Sequence, residues 1–412
     1  MTVEPVTSAI PTAVGGNADA NESDDPISYP GLTRLFTHDN AFGLLRLTFA
    51  LLVLVTHAYH LGGFGPEPMW AWTANQISFG TVAVGGFFVI SGFLITASGR
   101  ANDVVQFMWK RILRIFPAFW VLLVLTAFVV GPLVYWRAKD TLNSYMTQAP
   151  SPVDYVMNNF WLDVHQYGIG RMLIKTPYGE AVNASVFNGS IWSLIYEFRC
   201  YIAVAILLVL GVLTRARWVV AVIAVMFAVG LAIINVAPEY KPAVLSVFGD
   251  MQMLQMGFLF AIGATLSVYA AQIKCNGYTG AVALTITIAT AVTSWFFPVG
   301  AVAFAYFVLW LAMMLPPTLR KVGSQHDISY GVYLYGFLVQ QLLAVVAFYR
   351  YGFLAYLAAS IVFSVICGAF SWHLVERHAM RLKKRGPGRG VAYWWGSARD
   401  RWKARFARSS AA

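Results

Sequence analysis

Two residues able to handle charge and protons bound one apolar run, Arg46 and His57 at the ends of RLTFALLVLVTH. Eleven positions at about 100° each come to roughly 1100°, within about 20° of three full turns. On a helix the two side chains therefore share a face about 16 Å apart. A guanidinium is a permanent cation whose planar fork suits phosphate, whereas imidazole titrates at about pH 6.5 and suits a general base. Either group is costly inside a membrane-length apolar run, which makes each a functional-site candidate. Plainer readings compete: Arg46 as a snorkelling anchor, and His57, like its neighbour His60, as a satisfied interhelical hydrogen bond.

Further chemistry-bearing groups follow. FMWKRILRIFP places Arg111 and Arg114 at i and i+3 beside a membrane entry closed by Pro117. Two guanidinium groups on one face make a phosphate clamp or, equally well from spacing alone, a topology anchor. SIWSLIYEFRCY carries Glu197 and Arg199 inside an apolar run. Residues two apart do not face each other on a helix, so each needs a partner elsewhere. Glu197 falls at a depth comparable to His57, which opens a histidine and carboxylate pair. Between them, GTVAVGGFFVISGFLIT holds Gly85, Gly86, Ser91 and Gly92, small residues that let helices approach closely or leave room for a ligand. Cys200, Cys275 and Cys367 show no metal or redox spacing, so no metal set is expected.

The elements that must position these groups are membrane helices. The 412-residue chain is 58% hydrophobic and only 11% charged, against about 25% in a soluble domain. The expected fold is all-α, a polytopic membrane helix bundle. Apolar stretches near 20 residues recur ten times, at about 42–62, 77–97, 115–136, 190–210, 217–236, 248–270, 278–296, 299–315, 328–348 and 353–375. The +11 net charge would suit nucleic acid, but the cations sit mainly in short loops and the tail, so no nucleic-acid partner is expected. With the N-terminus inside, Arg100 to Arg114, Arg215 and Arg217, Lys274, Arg320 and Lys321, and RHAMRLKKRGPGR all fall in the cytosol. The positive-inside rule thus predicts both termini cytoplasmic and a multi-pass protein of the cytoplasmic (inner) membrane. Residues 1–40 read as a disordered cytoplasmic lead-in, 41–375 as the membrane domain with a long extracytoplasmic loop over 137–189, and 376–412 as a basic cytoplasmic tail. Tyr155, Trp161, His165 and Tyr167 in that loop could stack on sugars, although interfacial anchoring explains them as well.

Five blocks in order resemble the acyltransferase-3 family of integral-membrane O-acyltransferases: Arg46 with ten residues before His57, VISGFLIT, RILRIFP, WSLIYE and DISYGVYLYGFLVQQ. The resemblance spans about residues 40–380. It implies a ten-helix core that moves an acyl group from cytosolic acyl-CoA, with acetyl-CoA as the expected donor, to a hydroxyl of a cell-envelope glycan or glycolipid. His57 matches the family's catalytic histidine and Arg46 its partnered arginine. Two departures stand out. Gly336 replaces a histidine that many members carry after YLY, and Arg377 follows Glu376 where many have proline, a change that reads as peripheral.

Acyl transfer to an alcohol needs a base, an oxyanion site and a grip on the remote CoA phosphates. His57 is the natural base, and Glu197 could orient its ring as the acid does in a hydrolase triad. Arg46, Arg111 and Arg114 would hold the nucleotide end of CoA. For the oxyanion or the substrate, Ser91, Trp192, Ser193 and Tyr330 are candidates by motif position. No tightly bound cofactor is expected; the partners are acyl-CoA, a hydroxyl-bearing glycan, glycolipid or small-molecule acceptor, and the bilayer. The alternative is a transporter of an acyl group or small substrate that does not complete the transfer.

Overall fold

The computed structural model describes residues 31–37, 39–73, 75–324, 326–397 and 399. Every regular element among these residues is helical. Each of the ten expected apolar stretches is a helix: α1 Phe42–Leu61, α2 Phe79–Arg100, α3 Val104–Lys139, α4 Ser190–Val209, α5 Trp218–Val236, α6 Met251–Val268, α7 Gly277–Val292, α8 Phe296–Met314, α9 Ser329–Val345 and α10 Phe353–Lys384. Eight of the ten segments are long and apolar enough to cross a membrane. The other two fall short of the expectation for different reasons. α7 has 16 residues, which at about 1.5 Å each reach about 24 Å, less than a ~30 Å hydrocarbon core. α9 has 17 residues and is enclosed on every side, with almost all of Ser329 to Ala344 buried, so it carries glutamines and tyrosines where a lipid-facing helix carries leucine and valine.

Local chemistry sets the helix starts. Ser78 caps α2 by accepting from the Thr81 backbone N–H, and Asp103 and Gln106 form a capping box at α3. Asp250 caps α6 by accepting from the Met253 N–H, and Asn276 and Thr279 form a second box at α7. α2 and α6 pack most closely, backbone against backbone. A Cβ on Gly92 would lie 2.1 Å from the Phe260 carbonyl oxygen, and one on Gly263 would lie 2.3 Å from that of Val89. Close packing is therefore what the small-residue block accomplishes here.

Two regions depart from the expected plan. The chain is already ordered at Gly31–Phe36, a short 3-10 helix with Leu32 and Leu35 buried; the rest of the expected lead-in, residues 1–30, lies outside the described residues. The segment between α3 and α4 is built rather than loose. It carries helices Pro152–Asn159 and Pro177–Val182, and the buried Asn159 amide donates to the Gln166 carbonyl while its oxygen accepts from the His165 and Gln166 N–H groups. Tyr155 is fully buried, which removes it from any sugar-stacking face, whereas Trp161 and His165 stay exposed.

Candidate active site

Two cavities adjoin inside the bundle. The first encloses about 820 Å³ of empty space, its open mouth included, and is lined by Arg46, Ser91, Arg111, Arg114, Glu197, Tyr201 and Tyr330 among others. The second encloses about 770 Å³ and is lined by His57, Thr56, Trp192, Gln252 and Gln255 among others. Val84 and Tyr333 line both, so the two cavities adjoin there. The three-turn separation on α1 thus puts Arg46 against one cavity and His57 against the other.

Helix pairing explains the first cavity. Arg46 enters from α1, Ser91 from α2, Arg111 and Arg114 from α3, and Glu197 and Tyr201 from α4, the last two one turn apart and so on one face. The three cations are not equivalent. Arg114 Nη2 lies 2.8 Å from Asp327 and its Nη1 3.2 Å from Glu376, and its guanidinium sits 5.5 Å from the Tyr330 ring centre. Arg46 shares Asp327 at 3.5 Å, and its Nε is buried without a hydrogen bond. Arg111 forms no ion pair among the described residues; its Nε is likewise unpartnered, and its guanidinium lies 5.9 Å from the Tyr201 ring centre. The spare donor capacity that could meet phosphate thus resides on Arg111 and Arg46, while Arg114 is committed to two carboxylates.

Sequence reasoning missed those carboxylates. Asp327 stands in the loop before α9, where it also accepts from the Ser329 hydroxyl and N–H. Burial alone would push its carboxyl up, but Arg46 and Arg114 beside it bring it down to about 2. Its signal was present in DISYG, an acid just ahead of an apolar helix. Glu376 is 2% exposed and accepts from the Ser371 hydroxyl. A π-turn over Trp372–Glu376 interrupts the α-helical register here, so no 3.6-residue periodicity could have aimed it at Arg114. The end of α10 is accordingly part of the site and not peripheral to it.

Glu197 does not pair with His57. Its Oε1 accepts from the Ser91 hydroxyl at 2.8 Å and the Tyr201 hydroxyl at 2.5 Å, within the arginine cavity. His57 Nδ1 is buried without a hydrogen bond, and the ring meets Phe337 edge to face at 5.1 Å. Aromatic packing, not a carboxylate, holds this imidazole.

Proton accounting separates the four oxyanion candidates. Each hydroxyl has one proton to donate. Ser91 gives its proton to Glu197, and Tyr330 gives its own to the Ile115 carbonyl at 2.8 Å. Tyr333 donates to the Ser190 carbonyl, so Ser193, 2.7 Å from the Tyr333 hydroxyl, must donate to it. Trp192 alone of the four keeps an uncommitted donor among the described residues: its indole packs against Tyr196 at 5.7 Å, and no hydrogen bond uses its N–H.

A helix bundle of membrane proportions, with an arginine-rich cavity beside one bearing an imidazole, defines a multi-pass integral membrane protein. The family described as Acyltransferase domain matches residues 39–372, and the chain belongs to it: the protein is a membrane acyltransferase. It is 28% identical over 356 residues to the "O-acetyl transferase" of Shigella phage Sf6, covering 82% of this chain and 95% of that protein. It is 29% identical over 376 residues to "Nodulation protein 10" of Rhizobium leguminosarum bv. viciae, covering 84% and 94% respectively. A shorter likeness, 26% over 159 residues, joins it to "Acyltransferase MdmB" of Streptomyces mycarofaciens, covering 38% of this chain and 36% of that protein. No solved structure matches the chain.

Proposed function

We propose that this acyltransferase takes an acetyl or other short acyl group from cytosolic acyl-CoA and places it on a hydroxyl of an envelope glycan or glycolipid, with His57 as general base. The observation that carries the reading is the shared lining: the arginine cavity and the His57 cavity adjoin at Val84 and Tyr333. Arg111 and Arg46 would take the CoA phosphates, and the pantetheine arm would cover the ~16 Å of α1 between Arg46 and His57. Asp327 and Glu376 would fix Arg114 as part of the frame.

In the transfer step His57 accepts the proton of the acceptor hydroxyl as its oxygen bonds to the thioester carbonyl carbon. The carbonyl oxygen gains charge and is met by the Trp192 N–H. As that charge returns, the carbon–sulfur bond breaks, and the CoA thiolate takes the proton back from the imidazolium. The donor would enter from the cytosol through a ten-span bundle in the cytoplasmic membrane with both termini inside, over a membrane domain of about 41–375, and the acceptor from the opposite side. The test is acetyl transfer from labelled acetyl-CoA to an envelope glycan fraction by purified protein in nanodiscs, where no transmembrane gradient exists. Transfer supports an enzyme that completes the reaction. Failure of transfer in nanodiscs, with acetylation retained in intact cells, would favour a transporter of the acyl group.

A further inference from the structure

Glutamines buried in this bundle are pinned to backbone. Gln340 donates to the Leu54 carbonyl at 2.9 Å, Gln341 to that of Val186 at 2.8 Å, and half-buried Gln76 to that of Ala291 at 2.8 Å. Gln252 and Gln255 differ: both line the His57 cavity, and neither side chain makes a hydrogen bond among the described residues. Gln252 lies at the exposed rim and Gln255 is half-buried, three residues further along α6, so both amides present to one face.

Their positions are fixed rather than incidental. They occupy the first turns of α6, whose start Asp250 sets by capping the Met253 N–H. The same carboxylate accepts from the Tyr196 hydroxyl at 2.9 Å, and Tyr196 packs edge to face on Trp192 in the opposite wall of the cavity. The two walls are therefore tied together through Tyr196 and Asp250, and the cavity they enclose contains more hydrogen-bonding capacity than the transfer step requires. A side-chain amide offers two donors and an acceptor, a match for vicinal hydroxyls, each of which donates and accepts. Amides left facing an apolar ligand would lose their water without replacement, which selects against it.

We propose that Gln252 and Gln255 form the acceptor subsite beside His57 and select a polyhydroxylated, sugar-like acceptor over a lone alcohol, an inference that rests on the reading of His57 as the base. The test uses Gln252→Met and Gln255→Met, singly and together, since methionine keeps nearly the same length without the amide. The variant replaces the wild-type copy in cells of the source organism, acetylation of envelope glycans is followed by mass spectrometry, and acetyl-CoA affinity is measured by calorimetry on the same protein in nanodiscs. The expected result is a loss of glycan acetylation of about threefold or more in each single variant and tenfold or more in the double variant, with acetyl-CoA affinity within twofold of wild type. Undiminished acetylation overturns the subsite, as does a parallel loss of acetyl-CoA affinity, which would mark a packing role. A wild-type product in which the acetyl group sits on a monohydric alcohol also overturns it. A His57→Ala arm separates the two ideas: persistent acetylation there refutes the base, whatever the glutamine variants do.

Discussion

Arg111 and Arg114 lie one turn apart on α3 and look interchangeable in sequence, yet the structure assigns them opposite behaviour on substitution by Gln. Arg114 is 20% exposed and sits between Asp327 and Glu376, which are 14% and 2% exposed. Removing one partner of a buried ion pair strands the other charge and costs about 3–5 kcal/mol. Arg114→Gln strands Glu376 in full and Asp327 in part, since Arg46 remains 3.5 Å away, so the lower half of that range, about 3 kcal/mol, is expected as lost stability. Arg111 has no ion pair to break among the described residues, so Arg111→Gln should be nearly neutral for stability. It would instead remove a charge-assisted contact to phosphate, worth about 1.5–3 kcal/mol, or about a 10- to 150-fold loss of acyl-CoA affinity. Thermal unfolding in detergent and acetyl-CoA calorimetry in nanodiscs, run on both variants, separate the two effects. A stable Arg114→Gln, or an Arg111→Gln that binds acetyl-CoA like wild type, would refute the division of labour.

Three further outcomes follow from the geometry. Trp192→Phe should lower kcat for acetyl transfer by about 10²-fold, as loss of an oxyanion donor does, whereas Tyr330→Phe, losing only its bond to the Ile115 carbonyl, should cost about 1 kcal/mol of stability and leave kcat within about twofold; steady-state kinetics and unfolding distinguish them. Gly336→His should express poorly, because a Cβ there would meet Leu54 Cδ2 at 2.4 Å, and pairing it with Leu54→Ala should restore monodisperse protein on size exclusion. For Asp327, a carboxyl held at about 2 by Arg46 and Arg114 against about 3.9 unfolded contributes stability that is present above the unfolded value and lost progressively as pH falls toward 2, on the order of 2 kcal/mol. The stability deficit of Asp327→Asn relative to wild type should therefore shrink by about that amount between pH 5 and pH 2 in thermal unfolding, and a constant deficit would contradict the assignment.

Element positions were legible in the sequence because membrane-length apolar runs leave little choice of conformation, and all ten stretches are helical. The shared face of Arg46 and His57 was equally legible, since helical geometry alone determines it. Partner choice was not. Glu197 and His57 looked like a pair because both are polar groups at similar depth, but Glu197 is taken by Tyr201 one turn along its own helix and by Ser91 from α2, the latter across a helix register that no local pattern encodes. Asp327 and Glu376 reach Arg114 from 213 and 262 residues away, one from a loop and one from a π-turn. The hydroxyl candidates show a related limit of local pattern: a motif names a donor, but only the folded arrangement shows where its single proton goes.

The proposed transfer turns on the His57 imidazole removing the proton from the acceptor hydroxyl. Acetyl transfer from acetyl-CoA by His57→Ala in nanodiscs, with acetyl-CoA affinity checked on the same sample, tests it directly. Transfer should fall by at least about 10²-fold with donor affinity retained; transfer at the wild-type rate would rule out the imidazole as the base.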